Sequence, residues 1–270
     1  MTEITGRVAV VTGGASGIGR GIAEALIDHG ARVVVADIDD DALKTTAAEI
    51  GAHPAVTDVA SASSVAALAD ATLSEFGRVD IVVNNAGIGP AGKVADLTLD
   101  DWQWMLGVNL WGVIHGIRFF LPHLIANPGG GHIVNTASMA IFSPLPGLGA
   151  YTASKMGVQG LSEVLAMELA ADHPNVHVSI LPPGPVPTNI GRSLRHRPAG
   201  QHGALADIDM GDGDQAAALR WVQPRRAGEI VARAIRNNDL YAITHPEWWP
   251  RVNERVAMLH REFDRYLPML

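Results

Sequence analysis

The sequence contains no cysteine. Disulfides, thiolate nucleophiles and metal sites that rely on sulfur are thereby excluded, and the composition agrees with a cytoplasmic location. An excess of positive charge is absent too. The formal net charge is −8 at pH 7, which speaks against a nucleic-acid surface, because phosphates demand a basic face. No basic stretch leading into an apolar one opens the chain, so no signal peptide is expected. The uncharged run at residues 102–117 contains Gln103, Asn109 and His115 and is too short and too polar to predict a membrane span. What remains is a globular composition, 47% hydrophobic and 18% charged over 270 residues, enough for one domain with a substantial core.

Apolar runs and helical patterns alternate along most of the chain. Strands are expected at 7–11, 32–37, 54–58, 79–84, 131–137, 176–181 and 240–244. Helices are expected at 17–29, 39–50, 61–76, 100–126, 149–172 and 227–237. The runs Val8-Ala9-Val10-Val11, Val33-Val34-Val35 and Ile81-Val82-Val83 do not alternate, as befits strands buried on both faces of a parallel sheet. The expectation is an α/β fold: one Rossmann-like, doubly wound domain with a mostly parallel seven-stranded sheet flanked by helices. Residues 189–223, rich in Gly, Arg, His and Asp and without a clear period, read as a lid after the sixth strand. Residues 245–270 read as a C-terminal extension.

The first strand runs into Thr12-Gly13-Gly14-Ala15-Ser16-Gly17-Ile18-Gly19 and then a helix. Glycines here permit a tight turn and close backbone approach to a pyrophosphate, which the helix N-terminus favours. Asp37, eighteen residues after Gly19, ends the second strand. A carboxylate there accepts bonds from adenosine ribose hydroxyls and repels a 2′-phosphate; no Arg or Lys closely follows it, so NAD is favoured over NADP. A cap on the next helix is the competing role for Asp37. Asp58, which could reach the adenine edge, has the same alternative.

Tyr151 and Lys155 lie one helical turn apart, so a phenol and an ammonium can stand side by side. With Thr12-Gly13-x-x-x-Gly17-x-Gly19, Asn84-Asn85-Ala86-Gly87, Asn109, Ser138 and Pro183-Gly184, in this order, the chain resembles the short-chain dehydrogenase/reductase family over about residues 6–190 and 224–245. The resemblance implies redox chemistry on an alcohol or ketone. Tyr151 would be the acid/base, Lys155 would lower its pKa and hold the nicotinamide ribose, Ser138 would orient the substrate oxygen, and Asn109 would support a proton relay. It further implies cofactor contacts from Gly13, Ser16, Gly17, Ile18, Gly19, Asp37, Asp58, Val59, Asn85, Ala86, Gly87, Tyr151, Lys155, Pro183, Gly184, Val186 and Thr188, the last two toward the carboxamide. The physics agrees: a free tyrosine titrates near 10, and adjacent positive charge stabilises its phenolate.

Stretches after Ala86, Ser138 and Gly184 are largely apolar, which predicts a hydrophobic, cyclic or terpenoid secondary alcohol or its ketone. Arg192, Arg195, His196 and Arg197 of the lid read as a solvated basic stretch, with binding of a carboxylate as the alternative. His196, His202, Asp207, Asp209, Asp212 and Asp214 match no metal-ligand spacing. Trp102, Trp104, Trp111, Phe119 and Phe120 read as core and subunit interface, and the resemblance implies a homodimer or homotetramer. Competing readings are an NADP-dependent carbonyl reductase and a non-catalytic dinucleotide-sensing Rossmann protein. The joint presence of Tyr151, Lys155, Ser138 and Asn109 counts against the sensor.

Overall fold

The structure is a computed structural model that describes residues 1–209, 211 and 219–267. Six strands, β1 Val8–Thr12, β2 Arg32–Asp37, β3 His53–Val56, β4 Ile81–Asn84, β5 Gly131–Thr136 and β6 Val176–Leu181, form one sheet. Its order is β3-β2-β1-β4-β5-β6, and every pairing is parallel. The helices are α1 Gly17–Asp28, α2 Asp40–Ile50, α3 Ala62–Phe76, α4 Leu99–Leu106, α5 Gly112–Ala126, α6 Gly149–Asp172, α7 Pro224–Asn237 and α8 Trp249–Tyr266.

The unbroken apolar runs have a simple cause, since helices cover both faces of the sheet. Ala9 and Val11 of β1 pack with Ile22 and Leu26 of α1 and Ile235 of α7, whereas Val10 between them packs with Leu68, Phe120 and Leu165 on the other face. The helix starts follow local chemistry. Asp39 caps α2 by accepting from the Ala42 amide (3.1 Å), Ser61 caps α3, and Thr98 with Asp101 forms a capping box on α4.

The seventh strand expected at 240–244 is reduced to a single parallel bridge between Tyr241 and Ile180. Ile180 N donates to Leu240 O and Ala242 N to Ile180 O. The next rung would need an N–H from residue 182, which is proline, so the ladder stops.

The helix expected at 100–126 is interrupted by a π-helical turn at Gly107–Trp111, between α4 and α5. One residue too many for an α turn is accommodated there, which rotates Asn109 into the protein, where it is fully buried. The whole run Leu99–Ala126 has the length and mean hydropathy, 1.2, to cross a bilayer. Here its apolar side packs against α3, α6 and the sheet.

His132 lies fully buried near the start of β5, with Nε2 on Ser179 Oγ (2.8 Å). Burial, and after it the neighbouring His177, push its pKa down to about 3. The unfolded chain therefore takes up a proton below about 6.5 that the folded chain refuses. Stability should be full above pH 6.5 and erode as the pH falls toward 3, by roughly 5 kcal/mol in all from this group. Urea midpoints measured from pH 7 to pH 4.5 should fall, and the His132→Gln variant should fall less; equal slopes would acquit His132.

Candidate active site

The strand order reverses between β1 and β4, and a crevice opens there at the carboxyl ends of the strands. Its floor is tied together by Thr12. The Thr12 hydroxyl accepts from the amides of Asn85 (3.0 Å) and Ala86 (3.1 Å), while Asn85 Nδ2 donates to Thr12 O (3.0 Å). The resulting cleft holds about 400 Å³. It runs from Asp37, Asp58 and Val59 at one end, past Gly13, Ser16, Gly17 and Ile18, to Tyr151 and Lys155 at the other.

Glycine is required in the turn for two separate reasons. Gly13 and Gly17 adopt φ of +66° and +52°, a region hostile to other residues. Gly19 has an ordinary φ, but a Cβ there would run into the Gly13 carbonyl oxygen and Asn85 Nδ2. The turn is therefore a cradle of exposed backbone at the start of α1, which fits a pyrophosphate.

Asp37 does not cap α2; Asp39 does. The Asp37 carboxylate accepts from the amides of Ala15 (3.1 Å) and Asp39 (3.2 Å), which fixes it at the rim with acceptor sites to spare. Asp58 likewise leaves the capping of α3 to Ser61 and bonds the Ala60 amide (2.9 Å).

At the far end, α6 carries Tyr151 and Lys155 on one face. Lys155 is almost wholly buried, its Nζ donating to Thr136 O at 2.9 Å and lying 5.9 Å from the Tyr151 ring centre. Burial pulls its pKa down to about 8, so the ammonium is charged at neutral pH. Burial pushes the Tyr151 phenol up, and a hydrogen bond from Ser138 partly offsets this. Ser138 Oγ also accepts from the Ala140 amide (3.1 Å). Asn109 holds Ile88 by both backbone groups: Oδ1 accepts from Ile88 N (2.8 Å) and Nδ2 donates to Ile88 O (2.9 Å). Nδ2 also reaches Ser154 Oγ (3.2 Å), which donates to Tyr151 O. A Cβ on Gly87 would meet Asn109 Oδ1 at 3.2 Å and Lys155 Nζ at 3.4 Å. Asn109, Lys155 and the 87–88 backbone are thus one unit.

Most of the expected residues gather in this cleft, including Asn85, Ala86, Gly87, Pro183 and Thr188. Gly19, Asn109, Ser138, Gly184 and Val186 do not line it. Gly184 turns against His245, to which its amide donates (3.2 Å), and Val186 is buried with Val222 and Ala227. The apolar stretch after Ser138, residues 139–145, does not line the cleft either, whereas Trp104 of α4 and Val108 of the π turn do. Trp104 is core, as expected, and also reaches the cleft wall.

The lid supplies more than the sequence suggested. A short turn of 3₁₀ helix, Ile190–His196, brings Arg195 and His196 into the wall opposite Asp37. Arg197 is no solvated charge: it pairs with the buried Asp101 (2.8 Å) and lies 5.4 Å from the Trp104 ring centre. Burial alone would raise the Asp101 pKa. The amides of Thr98 and Ala204, with Arg197, overcome that and hold the carboxyl well below its usual range. The lid is fastened at 91 and 206 by a two-way backbone bridge. Asp212 and Asp214 lie outside the described residues.

Residues 7–199 match the family described as short chain dehydrogenase. The chain belongs to that family. It is 39% identical over 242 residues to the "Probable oxidoreductase EphD" of Mycobacterium bovis, covering 88% of this chain but 40% of that protein. The chain thus spans well under half the length of that relative. Among solved structures it resembles a short chain dehydrogenase/reductase from Burkholderia phymatum in complex with NAD, at 35% identity, TM-score 0.88 and 97% coverage of both chains. It also resembles a metagenomic short-chain oxidoreductase in complex with NADP, at 37% identity and TM-score 0.63, over 68% of this chain and 84% of the other. Family members of this kind are oxidoreductases that bind a nicotinamide dinucleotide.

Proposed function

We propose that the chain transfers hydride between NAD and a hydrophobic secondary alcohol or its ketone. The observation that carries this reading is the joint placement of Tyr151 and Lys155 at one end of a cleft whose other end is Asp37, with Ser138 hydrogen-bonded to Tyr151 behind it. A bound dinucleotide supplies the hydride acceptor and, when oxidised, a positive ring. Everything else falls to the chain. The glycine cradle takes the pyrophosphate, and Asp37 takes the adenosine ribose. Lys155 holds its charge close to Tyr151 and favours the phenolate. Ser138 fixes the substrate oxygen, and Tyr151 removes the hydroxyl proton in oxidation or returns it in reduction. Asn109 steadies the Ile88 wall and supports proton relay beyond Lys155.

Two features bear on specificity. The substrate end is walled by Ile88, Trp104, Val108 and Ala137, apolar groups that offer nothing to a sugar or a hydroxy acid. Asp37 favours NAD, while Arg195 and His196 opposite it lessen its repulsion of a 2′-phosphate. Trp111, just before α5, and Val164 and Met167 of α6 stay exposed, which supports a homodimer or homotetramer built on that helix pair.

The test is NADH formation with NAD and a panel of cyclic, terpenoid, steroid and polyol secondary alcohols, with NADP in parallel. Turnover of apolar alcohols is expected, and turnover of small anionic substrates alone would sink the substrate assignment. Asp37→Ala should weaken NAD binding by about tenfold or more, since bonds to an ionised acceptor are worth about 1.5–3 kcal/mol. Unchanged affinity by calorimetry would remove the argument for NAD.

A further inference from the structure

The last helix, α8, has no buried residue along its length. It is tied to the body near its start, where Arg255 Nη1 donates to Ile141 O at 2.6 Å. Its sequence is not that of a solvated helix. Trp249, Val252, Val256, Leu259, Phe263 and Tyr266 follow one another at steps of three, four, three, four and three. Those are the a and d positions of a heptad, the narrow seam along which two helices pair. Trp249 is 65% exposed, Val256 53%, Phe263 78% and Tyr266 63%. Large apolar groups exposed in a row mark an interaction surface.

We infer that α8 is a self-association element, along which a second copy of this chain lays its own α8 antiparallel about a two-fold axis. The seam is complementary to itself in that orientation. Val256 falls against the partner's Leu259, small Val252 against the partner's Phe263, and Trp249 against the partner's Tyr266. The flanking positions then bring Arg255 opposite the partner's Glu262, twice by symmetry. A parallel pair would set Arg255 against the partner's His260 and Glu262 against the partner's Leu267, losing both ion pairs.

Both partners in that pairing can be recruited. Arg255 spends one terminal nitrogen on Ile141 and keeps other donors. Among the described residues Glu262 is engaged only by Arg265, in an exposed i,i+3 pair of the kind worth little. The charges of the helix also argue against a lipid surface as occupant. Arg251, Arg255, Arg261 and Arg265 are nearly balanced by Glu254, Glu262 and Asp264, whereas anionic lipid selects a clear basic excess. This inference does not depend on the catalytic reading.

The absence of cysteine makes the test direct. Val256→Cys and Leu259→Cys are made separately in the full chain, so each variant carries one thiol. On oxidation, a mixture of the two should form a disulfide between variants, while either alone should not, because the antiparallel seam keeps like residues apart. Cross-linking of each variant with itself would indicate a parallel pair, and no mixed cross-link would indicate no pair; either overturns the inference. Light scattering on Phe263→Glu should show the assembly falling by one step, with unchanged circular dichroism. An unchanged mass overturns the inference, as does wild-type binding to phosphatidylserine vesicles that Phe263→Glu abolishes without a change of mass.

Discussion

Replacing Tyr151 by Phe should lower kcat by about 10²–10⁴-fold and leave dinucleotide affinity within about twofold, because general acid–base catalysis contributes on that scale. The substitution deletes one hydroxyl and keeps the ring that packs against the cluster of Ile88, Trp104, Met105, Ala150 and Leu205. The hydroxyl is what the surroundings are arranged around: Ser138 bonds it, and the Lys155 ammonium lies close by. Burial raises the phenol pKa in the protein alone, so the base form should emerge only when the dinucleotide adds its positive charge. The pH–rate profile should accordingly show a basic group titrating well below the value in the free protein. Activity retained within tenfold in Tyr151→Phe, with fluorescence quenching by NADH intact, would mean that another group moves the proton.

The second large effect concerns stability. Helices α1 and α7 cross with their backbones in contact: a Cβ on Gly228 would run into the Gly21 carbonyl, and a Cβ on Gly21 into the Pro224 carbonyl. Backbone on either side cannot yield as a flexible side chain would. Gly228→Val should therefore cost about 3 kcal/mol or more, at or beyond the upper end for overpacking, and lower Tm by roughly 6–12 °C. Because α1 begins at the glycine cradle, displacing it should also weaken NAD binding, even though Gly228 is remote from the cleft. Calorimetric scans and NAD titrations on the same preparation check both halves. A Tm within about 2 °C of wild type would show that the crossing can slide open at little cost.

Local signals made much of this molecule legible. The predicted bounds of the Tyr151 helix coincide with α6, and the glycine turn falls where strand and helix patterns meet. The missing pieces arise from longer-range geometry. Nothing in the 100–126 pattern marks a π turn, because the extra residue is absorbed by packing of α5 on the sheet. Without that turn Val108 could not be assigned to the cleft wall. Arg197 reads as a solvated charge until Asp101, far away in sequence, is seen beneath it. The α8 heptad, by contrast, stands in plain spacing in the sequence.

Proline 182 has a consequence for how the protein behaves when concentrated. A sheet with six parallel strands has two open margins, each able to template a foreign strand. On one margin, Ile180 points its N–H outward, as its bond to Leu240 shows, and residue 182, the next outward position, has none to offer. On the other margin, Thr57 N bonds inward to Asp37 O, so the outward positions of β3 are the even ones, and one of them is Pro54. Both margins thus lose a donor where a growing ribbon would need it. Crowding this chain should drive it into bounded, helix-faced assemblies rather than into fibrils.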